Sequence, residues 1–122
     1  MAKRILVVDD SASVRQVEHL VLTGAGYEVI EAADGREGLA KLAGQPVNLV
    51  LTDLNMPHLD GVGLIRAVRA GPATRLVPVV MITTESQDAR KQEGKAAGAT
   101  GWIVKPFTPD QLLAVVRRIL GA

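Results

Sequence analysis

The stretch ILVVDD at residues 5–10 joins four aliphatic residues directly to a pair of carboxylates. Four more short runs rich in β-branched residues follow, at 28–32, 49–52, 79–82 and 101–104. A segment with helical periodicity separates each run from the next. Apolar strands that alternate with helices indicate a parallel sheet covered on both faces. The sequence therefore predicts a doubly wound α/β fold with a five-stranded parallel sheet and five helices.

The helical segments are predicted at about 13–23, 34–42, 60–70, 88–97 and from 109 onward. In the first segment, Val14, Val17 and Val21 recur at helical spacing and are expected to face the core. The fourth segment has no large apolar residue and contains Gly94, so we expect it to be the least firmly anchored helix. Thr108 is expected to be the N-cap of the fifth helix.

Composition narrows the class of protein. The 122 residues are 48% hydrophobic and 22% charged, which is enough to build one domain, expected over residues 1–122. The absence of cysteine excludes disulfides and thiolate metal sites. A net charge of +1 and only 2% aromatic residues argue against nucleic-acid binding. Because no apolar run is long enough for a membrane span or a signal peptide, we expect a cytoplasmic protein without membrane insertion.

Polar side chains stand where four of the five predicted strands end. Asp9 and Asp10 follow the first strand, Asp53 the third, Thr83 the fourth and Lys105 the fifth. In an open α/β sheet, ligands bind at the carboxyl ends of the strands. The sequence therefore places three carboxylates, a hydroxyl and an ammonium group at one candidate site.

The charges of this cluster indicate its chemistry. Three neighbouring carboxylates disfavour one another's ionisation unless cations compensate, and Lys105 supplies only one positive charge. An all-oxygen site suits Mg²⁺, and no His or Cys cluster favours zinc. A carboxylate beside such a cation, a lysine and a hydroxyl is suited to receive a phosphoryl group.

Four segments resemble the receiver domain of two-component response regulators: ILVVDD at 5–10, DLNMPHLDG at 53–61, MITTE at 81–85 and VKPF at 104–107. The similarity covers essentially the whole chain and is greatest to the stand-alone chemotaxis type. The resemblance implies the flavodoxin-like strand order 2-1-3-4-5. It also implies a phosphorylation-controlled switch and not an enzyme, with self-phosphorylation and slow self-dephosphorylation as its only intrinsic chemistry.

The resemblance further implies a role for each residue of the cluster. Asp53 would be the phosphoacceptor that forms an aspartyl phosphate. Asp10 would bind Mg²⁺ directly, Asp9 largely through water, and the backbone carbonyl of Asn55 would complete the protein ligands. Mn²⁺ is expected to substitute for Mg²⁺. Lys105 would pair with the phosphoryl group.

Other positions would carry the signal or shape the entrance. Thr83 would move to hydrogen-bond the phosphoryl group, and Trp102 occupies the place of a switch aromatic that is usually Tyr or Phe. The Lys105–Pro106 bond resembles a cis-peptide position of the family. Three residues are expected to control access to the phosphoryl site: Asn55, Thr84 and Glu85.

The resemblance implies a histidine kinase as phosphodonor, output through the face made by the fourth helix, fifth strand and fifth helix, and a monomeric state. A flagellar motor switch protein is the expected target and a phosphatase a further partner. A phosphate sink and a phosphorelay outside chemotaxis remain alternatives. We expect no DNA-binding unit, because the chain ends at Ala122.

Two other classes of protein are less consistent with the residues of this chain. A phosphohydrolase of the haloacid-dehalogenase type would need an acid/base Asp two residues after the nucleophile, where this chain has Asn55. A flavin-binding module would need a phosphate-binding loop after the first strand, where Asp9 and Asp10 would repel phosphate.

Overall fold

Ten elements alternate along the chain in a computed structural model that describes residues 2–84 and 88–121. The strands are β1 (Arg4–Val8), β2 (Glu28–Ala32), β3 (Leu49–Asp53), β4 (Val79–Thr84) and β5 (Gly101–Lys105). The helices are α1 (Ala12–Gly24), α2 (Gly35–Gly44), α3 (Gly61–Ala70), α4 (Asp88–Ala97) and α5 (Pro109–Leu120). All strand pairs are parallel, in the order β2-β1-β3-β4-β5. The predicted fold class and strand order are confirmed.

Each face of the sheet has its own apolar cluster. On one face, strand residues such as Leu6 and Met81 pack with α2 and α3; we call this the α2–α4 face, since Ala97 of α4 also packs there. On the other, the α1–α5 face, Ile5 and Ile82 pack with α1 and α5. Burying one such aliphatic side chain stabilises the fold by about 1.5–3 kcal/mol. The two clusters fix the sheet between its helices and so fix the strand ends at one edge.

Side-chain caps define where four helices begin. Ser11, Asp34, Asp60 and Thr108 each accept a hydrogen bond from a backbone N–H in the first turn of the following helix. The predicted Thr108 cap is confirmed, and a cap of this kind is worth about 1 kcal/mol. Among the described residues, no helix has the length and apolar character needed to cross a membrane.

Helix α1 is rotated relative to the sequence prediction. Val17, expected in the core, is 50% exposed, while Glu18 and Leu22 are fully buried and Val14 and Val21 are half-buried. The prediction was therefore wrong for Val17. A carboxyl group takes the central core-facing position on this helix.

The Glu18 carboxyl is buried without a hydrogen-bond partner for either oxygen within the described residues. The pKa of Glu18 is raised from 4.5 to about 8, first by burial and then by the Asp9 carboxylate. Lys105 acts in the opposite direction, whereas Asp53 and Glu31 add to the rise. Glu18 is consequently protonated in the folded protein at neutral pH.

We predict that Glu18→Gln changes the pH dependence of stability. The folded-state pKa of about 8 lies above the unfolded value of 4.5, so unfolding between these pH values releases a proton. Through this group the free energy of unfolding of the wild type falls by about 1.4 kcal/mol per pH unit as pH rises through that window. The variant lacks this loss, so its stability relative to wild type should increase with pH and become constant above the folded-state pKa.

Chemical denaturation of both proteins across this pH range measures the difference. Glu93→Gln is the matched control, because Glu93 is an exposed helical glutamate. It should leave the pH slope of the wild type unchanged. A Glu18→Gln curve parallel to the wild-type curve at every pH would contradict a buried protonated carboxyl.

Candidate functional site

Three carboxylates meet at the carboxyl edge of the sheet. Asp9 and Asp10 follow β1, and Asp53 ends β3, its neighbour in the sheet. One carboxylate oxygen from each lies within 4.8 Å of the others. Asp9 is buried, Asp53 is partly buried and Asp10 is exposed, so the cluster opens to water on one side. The arrangement brings together the acidic residues singled out from the sequence.

The Lys105 ammonium lies between two of these carboxylates. Its Nζ is 3.2 Å from Asp9 Oδ2 and 3.3 Å from Asp53 Oδ1. Burial alone would lower the pKa of Lys105, but the Asp53 and Asp9 carboxylates together raise it above the usual value. Lys105 is therefore charged, and the bond between it and Pro106 is cis.

The charge on the cluster is only partly compensated. Burial raises the pKa of Asp53, and the Asp9 carboxylate raises it further. Lys105 and the backbone N–H of Leu54, which donates to Asp53 Oδ1 at 2.8 Å, act in the opposite direction. The net upward shift means that Lys105 and the Leu54 N–H do not fully offset burial and the Asp9 carboxylate together. The donor set, all carboxylate oxygen and still electron-rich, fits a hard divalent cation such as Mg²⁺.

Two contacts, one from the N-cap of α1 and one from its first turn, hold Asp9 in place. The Ser11 N–H donates to Asp9 Oδ1 at 2.9 Å, and Arg15 Nη1 donates to the Asp9 carbonyl at 2.5 Å. Arg15 also pairs with Glu31 of β2 at 3.3 Å. Arg15 was not predicted as a site residue, because nothing in the local sequence distinguishes it from a solvated helix residue.

Thr83 and Trp102 share the α2–α4 face. Thr83 is 1% exposed, and its hydroxyl has no hydrogen-bond partner within the described residues. It pairs in register with Val104, and Met81 pairs with Trp102. Because side chains alternate along a strand, Thr83 lies diagonally beside Trp102 on this face.

A close backbone approach shapes the loop after β3. A Cβ on Gly61 would lie 2.5 Å from the Asp53 carbonyl oxygen, so only glycine permits this return of the chain. The Gly61 N–H donates to the Leu54 carbonyl at 2.9 Å. Asn55 on this loop and Thr84 at the end of β4 are both exposed, while the predicted access residue Glu85 lies outside the described residues.

An open, largely apolar cavity of about 510 Å³ adjoins Lys105. It lies between α1 and the connection from β5 to α5. The lining residues are Ser13, Val14, Val17, Thr84, Lys105, Pro106 and Phe107. The cluster thus has an apolar surface at its border as well as an opening to water.

Comparison with known proteins gives consistent matches. A family model described as response regulator receiver domain matches residues 5–117. Chemotaxis protein CheY1 of Helicobacter pylori is 40% identical over 120 residues, which cover 97% of each chain. A probable transcriptional regulator, ycf27 of Porphyridium aerugineum, is 42% identical over 97% of this chain.

The structure of Vibrio cholerae chemotaxis protein CheY4 superposes with a TM-score of 0.93 at 46% identity. The match covers 98% of this chain and 99% of CheY4. By contrast, this chain spans only 48% of the length of ycf27.

We predict that Asp53→Asn stabilises the metal-free protein at pH 7. The folded-state pKa of Asp53 is raised, so its ionised carboxylate lowers the free energy of unfolding once the pH exceeds that pKa. The expected gain is reduced by solvent screening, because part of the carboxylate contacts water. It should disappear below the unfolded-state pKa, where the carboxyl is protonated in both states.

Thermal melts in a chelating buffer at several pH values measure this effect. Asp110→Asn, at an exposed position of α5, is the control and should give no gain. Added Mg²⁺ should stabilise the wild type more than Asp53→Asn. A metal-free Asp53→Asn protein that melts below the wild type at pH 7 would contradict the predicted repulsion.

Proposed function

Because this chain belongs to the response regulator receiver domain family, we propose that Asp53 accepts a phosphoryl group from a histidine kinase. Receiver domains take phosphate from histidine kinases, bind Mg²⁺ at an acidic cluster, and are signalling switches and not enzymes. The observation that carries the proposal is the position of the Lys105 ammonium, 3.2 Å from Asp9 and 3.3 Å from Asp53. A carboxylate nucleophile thus has a fixed cation beside it.

In the proposed transfer, a carboxylate oxygen of Asp53 forms the new bond to phosphorus as the phosphorus–nitrogen bond of the donor phosphohistidine breaks. The bonding electron pair leaves with the imidazole nitrogen. The Lys105 ammonium pairs with the transferred oxygens and offsets their charge. Bound Mg²⁺ supplies further positive charge to the carboxylates and the phosphoryl oxygens.

We assign Asp10 and Asp53 as direct ligands of this ion and Asp9 as a ligand acting largely through water. The exposure of Asp10 and the burial of Asp9 support that division, because the ion arrives from the open side of the cluster. The backbone carbonyl of Asn55 is the remaining proposed protein ligand. Mn²⁺, which accepts the same oxygen donors, is expected to replace Mg²⁺.

The signal is proposed to leave through Thr83. Its buried hydroxyl lacks a partner in the described part of the chain, so it can donate to a phosphoryl oxygen without breaking an existing bond. Movement of Thr83 alters the space beside Trp102, its diagonal neighbour. The output face is then the one formed by α4, β5 and α5.

The apolar cavity beside Lys105 supports a protein as the phosphodonor. A small polar metabolite would gain little from Val14, Val17 and Phe107, whereas the apolar face of a kinase helix would bury them. Asn55, Thr84 and Glu85 are proposed to tune access to Asp53.

A role in chemotaxis, with a flagellar motor switch protein as target, is the pathway we favour. Its support is the 40% identity over 120 residues with CheY1, a chemotaxis protein. Participation in another phosphorelay, or action as a phosphate sink, is the alternative, since ycf27 is a probable transcriptional regulator. We further propose that residues 1–122 form one monomeric, cytoplasmic receiver unit that loses its phosphoryl group slowly by itself or through a phosphatase.

We predict Mg²⁺-dependent self-phosphorylation by a small donor such as acetyl phosphate. Intact-mass measurement should show one added phosphoryl group in the wild type and none in Asp53→Asn. Lys105→Met should slow the reaction by about 10² or more, because a fixed positive charge at the transferring oxygens is lost. Asp110→Asn serves as the control and should react like the wild type. A phosphorylated Asp53→Asn protein would exclude Asp53 as the acceptor.

We also predict that Asp10→Ala weakens Mg²⁺ binding by at least about tenfold while the fold persists. Without metal, the variant should be as stable as the wild type or more stable, because one of three crowded carboxylates is gone. The Mg²⁺ dependence of the melting temperature gives both quantities. Asp110→Ala is the matched control. Unchanged Mg²⁺ affinity in Asp10→Ala would remove Asp10 from the ligand set.

A further inference from the structure

Helix α4 approaches the sheet through a single buried residue. Gly94 is the only buried residue among those of α4, and a Cβ there would lie within 2.2 Å of the Met81 side chain. The helix backbone therefore lies directly on Met81. No large apolar side chain of α4 enters the core. The position of α4 relative to the sheet therefore depends on the few contacts that this helix makes.

A second contact lies one turn earlier. The Lys91 Nζ is 4.8 Å from the centroid of the Trp102 ring, within the range of a cation–π interaction. Lys91 and Gly94 are three residues apart and thus share a helix face. Their partners Trp102 and Met81 are register partners on β5 and β4. The two contacts therefore join the same face of α4 to adjacent points on the sheet.

The neighbouring charges do not compete for the Lys91 ammonium. Arg90 takes the nearby carboxylates, pairing with Asp60 at 2.5 Å and with Glu93 at 3.0 Å. Among residues 2–84 and 88–121, no carboxylate forms an ion pair with Lys91. Within the described residues the indole face is its recorded partner, and Lys91 is only partly exposed.

We propose that Lys91 is a positioning residue that joins Trp102 to α4, so that a displacement of Trp102 moves the helix. The inference rests on the proposed phosphorylation of Asp53 and adds the step by which the signal reaches α4. Trp102 lies diagonally beside Thr83 on one side and contacts Lys91 on the other. A displacement of Trp102 therefore reaches the helix through Lys91, even when the bulky indole stays on the α2–α4 face.

Three variants separate this role from a general effect of charge on the helix. Lys91→Met keeps the aliphatic stem and removes the cation, while Lys91→Arg keeps a cation that stacks on aromatic rings. Lys95→Met removes an exposed cation from the same helix and is the matched control. Trp102 is the only tryptophan of the chain, so the protein's tryptophan fluorescence reports the surroundings of this one indole, including the Lys91 contact.

The first measurement uses the protein without a phosphoryl mimic. Lys91→Met should alter Trp102 emission and quenching by acrylamide and should speed amide exchange in residues 88–97 by about two- to fivefold, the factor that corresponds to loss of one cation–π contact. Lys91→Arg and Lys95→Met should match the wild type. Equal effects in Lys91→Met and Lys95→Met would overturn the proposal, because they would reflect helix charge alone.

The second measurement adds Mg²⁺ and beryllofluoride as the phosphoryl mimic. In the wild type, exchange in residues 88–97 should change on addition of the mimic. In Lys91→Met, Trp102 emission should still respond while the exchange response of α4 is lost, and Lys91→Arg should restore it. An undiminished α4 response in Lys91→Met would overturn the coupling.

Intact-mass measurement after treatment with acetyl phosphate distinguishes the two levels of failure. The wild type and Lys91→Met could both gain a phosphoryl group and show the same exchange response in α4. The coupling would then be wrong, while the proposed function would stand. If the wild type gains none, the proposed function is wrong and the coupling falls with it.

Discussion

The Lys105 ammonium between Asp9 and Asp53 is the interaction on which the strand-end site depends. Parallel strands end at one edge, so the sheet necessarily brings the carboxylates of β1 and β3 together, and their repulsion is unavoidable. The lysine reaches them from β5, across the end of β4. Placing Asp9 at 1% exposure without this cation would leave an uncompensated buried charge, which is strongly destabilising. The strand order therefore brings the carboxylates together, and the Lys105 ammonium compensates the charge that results.

Much of this arrangement could be read from the sequence because its signals are local. A β-branched run that ends in a charged residue specifies both a buried strand and the position of its polar end. The strand-end rule then assembles Asp9, Asp53 and Lys105 without knowledge of any contact. The Thr108 N-cap could be predicted in the same way, because capping involves only the adjacent turn. The strand order came from family resemblance and not from such local signals.

The rotation of α1 had no local signal. Apolar residues lie on more than one side of this helix, so periodicity alone does not select the buried face. The Ser11 N–H and the Arg15 side chain, both bonded to Asp9, orient the first turn relative to β1. In this orientation Val17 faces solvent and Glu18 faces the core. The polar contacts at the site and the buried face of α1 are thus parts of one arrangement, which no local pattern in the sequence specifies.

Glu18 shows how far the influence of the site extends into the core. Its pKa is raised first by burial and then by the Asp9 carboxylate, while Lys105 opposes the rise. The negative potential that attracts a cation to the strand ends therefore also disfavours ionisation of a carboxyl inside the α1–α5 face. Burying an aliphatic residue at this position would cost less free energy than burying a carboxyl group. Glu18 is tolerated because it stays protonated. The ionisation of Glu18 in the core and the charge at the site are consequently coupled, and a change in one alters the other.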